Sequence, residues 1–108
     1  MDAHQIQNLL EARRHADRRY FEFLRVPALS AGIYEIPKGG RDLQSLHTED
    51  EIYYVIRGRA EIRVGPEDRE LRPGSVIFVP ARVAHRFRHV QERLSLLVIF
   101  GPAERPSR

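Results

Sequence analysis

From Tyr20 onward the chain breaks into short extended segments, and this rhythm restricts the fold more than any other feature of the sequence. Each segment is four to eight residues long, and Gly, Pro or polar residues separate it from the next. Short strands at this spacing are typical of an all-β sandwich or barrel. We predict strands over residues 20–26, 30–36, 51–57, 59–64, 68–72, 75–79, 84–90 and 94–100.

Two glycines mark predicted turns between these strands. Gly58, preceded by Arg57, separates two apolar runs and would supply the positive φ of a tight hairpin. Residues 72–75 read Arg-Pro-Gly-Ser, which places Pro and Gly at the central positions of a type II turn. Residues 60–64 alternate apolar and charged side chains, as a half-buried strand does.

Before Tyr20 the period of the apolar residues changes. Spacings of three and four from Ile6 to Leu10 predict one amphipathic helix over residues 4–17. We expect its paired arginines, at positions 13–14 and 18–19, to face solvent, and His4 and His15 to be exposed. The chain thus divides into an N-terminal helix and arm (residues 1–19), a β-barrel (residues 20–101) and a polar, proline-interrupted flexible tail (residues 102–108).

Composition excludes several classes of protein. The chain has no Cys, so disulfide scaffolds, thiolate metal sites and cysteine nucleophiles are ruled out. The net charge is +3, but the basic residues, all Arg except Lys38, are scattered among acidic neighbours, which does not predict nucleic-acid binding. The longest apolar run, residues 96–100, is far too short to span a membrane. No signal-peptide pattern opens the chain, so we expect a cytoplasmic protein.

His47 and Glu51 are the first candidates for chemistry. Their even spacing puts both side chains on the same face of an extended chain. The strand that they enter is otherwise apolar, and burying an unpaired carboxylate is costly. Two interpretations are open at this point. Either Glu51 pairs with a histidine or an arginine at the rim of a sheet, or both side chains are ligands of a metal ion.

His85 is the candidate for a third ligand. It follows a turn that begins at Pro80 and opens a strand in which alternation would give His85, Phe87 and His89 one face. Two imidazoles and one carboxylate suit an open-sided divalent metal such as Fe(II).

The stretch from residue 40 to residue 58 resembles the first conserved motif of the cupins. That motif runs Gly, five residues, His-x-His, three or four residues, Glu, six residues, Gly. His47, Glu51 and Gly58 match its second half at the right intervals.

The stretch from residue 74 to residue 89 resembles the second cupin motif, which runs Gly, five residues, Pro-x-Gly, two residues, His, three residues, Asn. Gly74, Pro80 and His85 match it. The two motifs and the segment between them, residues 40–89, span roughly half of the chain. The resemblance implies a single-domain cupin, a jelly-roll β-barrel with a short N-terminal helix.

In the cupins, the two His and the Glu of the first motif and the His of the second bind the metal. Carried over residue by residue, the resemblance implies that His47, Glu51 and His85 bind one divalent ion, with Fe, Mn, Ni and Zn as candidates.

The sequence departs from the motifs at three positions. Ser45 replaces the first His of the first motif and is a poor ligand, so Gln44, Asp42 or a water is the alternative fourth ligand. Arg82 stands where the second motif has Gly. His89 stands where it has Asn, and we expect it either to make a structural hydrogen bond or to orient a metal ligand.

A small barrel offers an interior cavity for a small ligand. Alternation points Tyr53 inward beside Glu51, and Phe87 inward beside His85, so both are pocket candidates as well as core residues. Arg82, just before His85, is a candidate for pairing with an anionic substrate, but we favour the alternative that it is one of many exposed arginines.

The cupins include enzymes, binding domains and storage proteins, so the fold does not select a reaction. We expect a metal-dependent enzyme acting on a small organic substrate, of the oxygenase or the isomerase and lyase type. The alternatives are a non-catalytic cupin that binds or senses a small ligand, and a structural or partner-binding domain. Because the first two strands are apolar and a small sandwich must protect its edges, we also expect a homodimer.

Overall fold

The computed structural model describes residues 1–42 and 47–105, which form one α-helix and six antiparallel β-strands. The elements, in chain order, are α1 (Ile6–Arg14), β1 (Tyr20–Val26), β2 (Leu29–Ile36), β3 (Asp50–Val64), β4 (Glu67–Leu71), β5 (Val76–Val79) and β6 (His85–Gly101). The predicted all-β class with one short N-terminal helix is confirmed.

Two long strands, β3 and β6, organise the fold. They pair with each other, β6 also pairs with β2, and β2 pairs with β1, which gives the order β1-β2-β6-β3-β4. The first half of β3 pairs with β5 and the second half with β4. The long strands therefore run through both layers of a jelly-roll sandwich, and the described pairings do not close the sheet into a ring.

β3 and β6 are each continuous, so the predicted hairpin turn at Gly58 is wrong. Gly58 has φ +102°, and the register of β3 against β6 shifts between Val55 and Arg57. A Cβ at Gly58 would lie 2.2 Å from the carbonyl oxygen of Arg93 on β6, which only glycine avoids. The shift moves the buried positions from odd residues, ending at Val55, to even residues from Ala60 onward. Because the buried positions change from odd to even at the bulge, the sequence pattern of this one strand resembles that of two separate strands.

The turn between β4 and β5 agrees with the sequence. The backbone N–H of Ser75 donates to the carbonyl oxygen of Arg72 over 3.0 Å, and Gly74 has φ +93°, as a type II turn requires at that position.

Apolar side chains from both layers fill the space between them. The members of this core, none of them more than 6% exposed, are Tyr34, Ile36, Tyr53, Val55, Ala60, Ile62, Leu71, Val79, Phe87, Val90, Leu94, Leu96, Val98 and Phe100. Removing such side chains from water is the main favourable term in folding.

A second, smaller core lies on the outer face of β2. There Leu9 and Leu10 of α1 pack with the fully buried Ile33. The helix is shorter than the predicted span of residues 4–17, because Gln5 gives its first turn no side-chain cap and the chain leaves the helix after Arg14. His4 and His15 therefore lie just outside the helix, and both are exposed as expected.

Arg13 does not face solvent as its sequence pattern suggested. Its Nε donates to Oε1 of Glu35 over 2.9 Å, and the two side chains are 13% and 2% exposed. The hydroxyl of Ser95 donates to the other carboxylate oxygen of Glu35. Arg13 thus joins α1 to the outer face of the sheet by an ion pair as well as by apolar contact.

Of the two strands expected to pair with a second copy of the chain, only β1 has an unpaired edge in the described sheet. β2 is paired on both sides within its own sheet, so it has no edge to offer. β1 is the terminal strand of the described sheet, and its Val26 is 44% exposed. Elsewhere, the outer face of β3 and β5 exposes the cross-strand pairs Ile52–Phe78 and Tyr54–Val76.

No helix within residues 1–42 and 47–105 has the length and apolar character needed to cross a bilayer.

Candidate metal centre

Glu51 and Tyr53 enter the interior because they lie at the start of β3, in the middle of the sheet. β5 pairs on one side of this segment and β6 on the other, so its inward side chains are covered on both flanks. Strand alternation turns Glu51 and Tyr53 to the same face. They are 1% and 0% exposed.

His85 is placed by the turn that precedes β6. The backbone N–H of Ala81 donates to Oδ1 of Asp50 over 2.8 Å, and that of Val83 donates to the carbonyl oxygen of Pro80 over 3.2 Å. The His85 side chain is 2% exposed, and its Nδ1 lies 2.9 Å from the carbonyl oxygen of Val83. A carbonyl only accepts, so Nδ1 carries a proton and neutral His85 has its lone pair on Nε2.

His47 precedes β3 and is fixed from three directions. Its carbonyl oxygen accepts the backbone N–H of Arg82 over 2.9 Å. Its ring packs edge-on against Phe100, with 4.9 Å between centroids. Its Nδ1 lies 3.1 Å from Oε2 of Glu104, and the His47 side chain is 10% exposed. The rings of His47 and His85 are 5.9 Å apart and tilted by 32°.

The structure brings together the three residues that the sequence singled out. His47, Glu51 and His85 each offer one ligand atom, and these atoms lie within 4.8 Å of one another. Nε2 of His85 is 3.2 Å from Oε1 of Glu51. Two ligand atoms in adjacent positions on a metal, each about 2.1 Å from it, lie about 3 Å apart, so this separation suits joint coordination.

The hydrogen bonding of Glu51 is the observation that fits a metal best. Both of its carboxylate oxygens are buried, and while His85 is neutral, with its proton on Nδ1, neither oxygen has a hydrogen-bond donor among the described residues. The described contacts of Glu51 include no arginine. Of the two pairing partners that the sequence left open, a histidine or an arginine, only a histidine lies beside Glu51. Buried carboxylate oxygens are normally paired or bound to a metal. The donor set present therefore fits a divalent ion.

The pKa values of both histidines report the same negative surroundings. Burial lowers the pKa of His47, but the hydrogen bond to Glu104 and the charge of Glu51 outweigh it, and the net shift is upward. Burial also lowers the pKa of His85, and the contacts with Glu51 and the Val83 carbonyl again raise it above the ordinary value. Both imidazoles thus sit where a positive charge, from a proton or a metal, is favoured.

Two tyrosines lie close to this cluster. The hydroxyl of Tyr53 is 3.1 Å from Nε2 of His85, so this pocket candidate lies beside the cluster. Tyr20 was not singled out from the sequence. Its hydroxyl is buried without a described hydrogen-bond partner, and its pKa is raised by burial and by the charges of Glu104, Glu22 and Glu51. The sequence feature that could have pointed to Tyr20 is Gly32 on the neighbouring strand. A Cβ at Gly32 would lie 2.4 Å from the Tyr20 ring, so glycine leaves room for that ring.

The remaining candidates have different positions. Phe87 is buried at 1% exposure and packs edge-on against Tyr53, with 4.8 Å between centroids. Asp42 accepts a hydrogen bond from the hydroxyl of Tyr34 over 2.9 Å and another from the backbone N–H of Phe87 over 2.9 Å. These bonds attach the segment that follows β2 to the core. Gln44 and Ser45 lie outside the described residues.

His89 does not share the inward face of His85 and Phe87, so the alternation prediction is wrong at this position. His89 has φ +52° and is exposed. The pairing of β6 with β3 is irregular here, because Arg59 pairs with Glu92 whereas Glu61 pairs with Arg88. A bulge of this kind turns the side chains after it to the other face.

Arg82 is exposed, and its contribution to the site is made by its backbone. It has φ +63° in the turn before β6, the conformation that glycine adopts most easily. The backbone N–H of Arg82 holds the carbonyl oxygen of His47.

Comparison with known proteins agrees with this architecture. Residues 32–100 match the Cupin domain family. An uncharacterized protein of Streptomyces coelicolor is 48% identical over 96 residues, which cover 88% of this chain and 91% of that protein. Among solved structures, TT1209 from Thermus thermophilus has a TM-score of 0.77 and 24% identity, covering 95% of this chain and 99% of that one. KdgF from Halomonas sp. has a TM-score of 0.70 and 24% identity, covering 77% and 76%.

Proposed function

Because this chain belongs to the Cupin domain family, we propose that it holds one divalent metal ion through His47, Glu51 and His85. The observation that carries the proposal is the buried carboxylate of Glu51, which lies beside Nε2 of His85 and, while that histidine is neutral, has no described hydrogen-bond donor. Two nitrogens and one carboxylate oxygen suit Fe, Mn, Ni or Zn. Such an ion, when bound, polarises a substrate oxygen or activates a water.

The proposed activity is that of a metal-dependent enzyme on a small organic substrate, of the oxygenase or the isomerase and lyase type. The position of the Tyr53 hydroxyl, 3.1 Å from Nε2 of His85, supports it. His85 would hold the metal through Nε2, and the Tyr53 hydroxyl beside it would be placed to donate a hydrogen bond to a substrate oxygen. The alternative is a non-catalytic cupin that binds a small ligand, which the replacement of the motif's first histidine by Ser45 favours.

Metal content tests the site directly. Tag-free protein, stripped with a chelator and titrated separately with Zn²⁺, Mn²⁺ and Fe²⁺ in a calorimeter, should bind one equivalent of at least one ion. Glu51→Gln should weaken that binding about tenfold or more, because a charged ligand becomes neutral. The matched control is Glu67→Gln, an exposed residue on β4 that should bind as the wild type does. Equal affinity in the wild type and in both Glu51→Gln and His85→Ala would refute the assignment.

Activity distinguishes the enzyme from the binding protein. The metal-loaded protein should turn over at least one member of a panel of small acids, thiols, diols and sugars, followed by oxygen uptake and by product NMR. Tyr53→Phe should lower that turnover while metal affinity is retained. Saturable ligand binding with no turnover of any compound would favour the non-catalytic alternative.

We also propose that the protein is a homodimer that pairs through β1. The terminal position of β1 and the exposure of Val26 support this arrangement. Light scattering at micromolar concentration should give twice the monomer mass, and Val26→Lys should lower it. A monomeric wild type, or a dimer that only Phe78→Lys disrupts, would contradict pairing through β1. The cytoplasmic location expected from the sequence stays a prediction.

A further inference from the structure

The segment after β6 reaches back to the proposed metal site. We call residues 102–105 the C-terminal strap. Oε2 of Glu104 in this strap lies 3.1 Å from Nδ1 of His47, and the Glu104 side chain is 22% exposed. Glu104 lies outside both sequence motifs, and its polar, proline-interrupted surroundings did not indicate this contact.

Backbone hydrogen bonds hold the strap in place without using the Glu104 carboxylate. The backbone N–H of Glu104 donates to the buried hydroxyl of Ser30 over 2.9 Å, and its carbonyl oxygen accepts from Arg25 over 2.6 Å. The backbone N–H of Ala103 donates to the carbonyl oxygen of Pro27 over 3.3 Å. The hairpin of β1 and β2 therefore positions the strap, and the side chain of Glu104 is left to contact His47.

A histidine that binds a metal through one ring nitrogen needs an acceptor for the proton on the other. His85 has the carbonyl oxygen of Val83 for this purpose, a neutral acceptor. His47 has the carboxylate of Glu104, which fixes the tautomer with the proton on Nδ1 and makes the opposite nitrogen a stronger electron donor. The two histidines of the cluster are thus oriented by different chemistry.

We propose that Glu104 is a positioning residue for His47, so that the C-terminal strap completes the metal site. This inference rests on the proposed function, because it assigns Glu104 a role toward the metal that His47 would bind. Coupling of this kind is reciprocal: if the docked strap raises metal affinity, the metal stabilises the docked strap by the same free energy.

Calorimetric titration with Zn²⁺ and with Mn²⁺ tests the proposal in the full chain. Glu104→Ala should weaken binding about 10- to 100-fold, which is the usual effect of removing an outer-sphere partner of a ligand. Glu104→Gln, which keeps a neutral acceptor, should lose less, and Glu104→Asp should recover part of the Ala loss. Glu70→Gln, an exposed carboxylate on β4, is the matched control and should bind as the wild type does.

Two further measurements separate positioning from a merely structural role. In ¹⁵N NMR of the metal-free protein, neutral His47 should carry its proton on Nδ1, and Glu104→Ala should shift it toward the Nε2 tautomer. Hydrogen exchange of the strap amides should slow on adding Zn²⁺ to the wild type and less so in Glu104→Ala.

The outcomes distinguish the two proposals. A wild type that binds neither ion refutes the metal site itself and the role of Glu104 with it. A wild type that binds metal while Glu104→Ala binds within twofold of it refutes only the role of Glu104. A lower Tm for Glu104→Ala with unchanged affinity and an unchanged His47 tautomer makes the contact structural and also overturns the inference.

Discussion

Nε2 of His85 lies 3.2 Å from Oε1 of Glu51, and the two side chains are only 2% and 1% exposed. Because Nδ1 of His85 already donates to the Val83 carbonyl, a neutral His85 directs a lone pair toward a carboxylate oxygen. Two electron-rich atoms this close and this far from water need a positive charge between them. A proton on Nε2 would supply that charge, and so would the divalent ion proposed above.

Metal affinity should therefore depend on pH. Protons and the metal compete for the same lone pairs, and the pKa values of His47 and His85 are raised, so affinity should fall as the pH drops through them. The stability that the histidines give the metal-free protein has the opposite sign. It is fully present below the unfolded-state pKa of about 6.5 and is lost as the pH rises through the folded-state values.

Thermal melts with excess Zn²⁺ and with EDTA check this prediction. The gain in Tm from Zn²⁺ should increase between about pH 5.5 and about pH 8. Glu51→Gln serves as the control, because its gain should be smaller than that of the wild type at every pH. A gain in the wild type that is the same at every pH would show that these histidines do not bind the ion.

Arg82→Gly should stabilise the fold. Arg82 has φ +63°, a conformation that costs a residue with a Cβ about 1–2 kcal/mol, whereas glycine adopts it freely. Part of the gain is offset by the greater freedom of glycine in the unfolded chain, so we expect a net gain of about 0.5–1 kcal/mol in urea unfolding. Arg82→Ala, which keeps the Cβ, should show no such gain. Equal stabilities of the Gly and Ala variants would contradict the argument.

The parts of the site that obey local rules were predictable from the sequence. The even spacing of His47 and Glu51 and the Pro80-led turn before His85 each depend on a few neighbouring residues, and the structure brings these three side chains together. The contact between Glu104 and His47 joins residues 57 positions apart, and its strap is held by backbone groups. Neither the periodicity nor the composition of a sequence predicts a contact of this kind.

The errors in the fold arise where a positive φ interrupts strand alternation. Gly58 and His89 both lie inside long strands with left-handed backbone conformations. The sequence correctly indicated a positive φ at Gly58, but a glycine with positive φ occurs in a β-bulge as well as in a hairpin turn. At His89 a residue other than Gly occupies that conformation, so no signal was present.

Gly58→Ala should be strongly destabilising. The new Cβ would lie 2.2 Å from the carbonyl oxygen of Arg93, and φ is +102°, so strain and a clash with backbone act together. Gly74→Ala is the matched control, because Gly74 has φ +93° but no atom within 4 Å of an added Cβ. We expect losses of about 3 kcal/mol or more for Gly58→Ala and about 1–2 kcal/mol for Gly74→Ala. Equal losses in urea unfolding would show that β3 and β6 can separate at Gly58 without penalty.

Arg13→Ala tests the attachment of α1. It would leave the carboxylate of Glu35, 2% exposed, with the hydroxyl of Ser95 and with Arg93, whose nearest nitrogen is 3.9 Å away. Removing one partner of a buried ion pair is expensive because the other charge stays buried, so we expect a loss of about 2–3 kcal/mol in unfolding free energy.

The neighbouring exposed Arg14 supplies the control for that measurement. Arg14→Ala removes the same side chain from the same helical turn and should change stability by no more than about 0.5 kcal/mol. The double variant Arg13→Ala with Glu35→Gln should recover part of the loss, because the uncompensated charge is gone. If Arg13→Ala and Arg14→Ala unfold at the same urea concentration, the ion pair does not hold α1 on the sheet. Apolar packing of the helix on Ile33 then suffices to hold it.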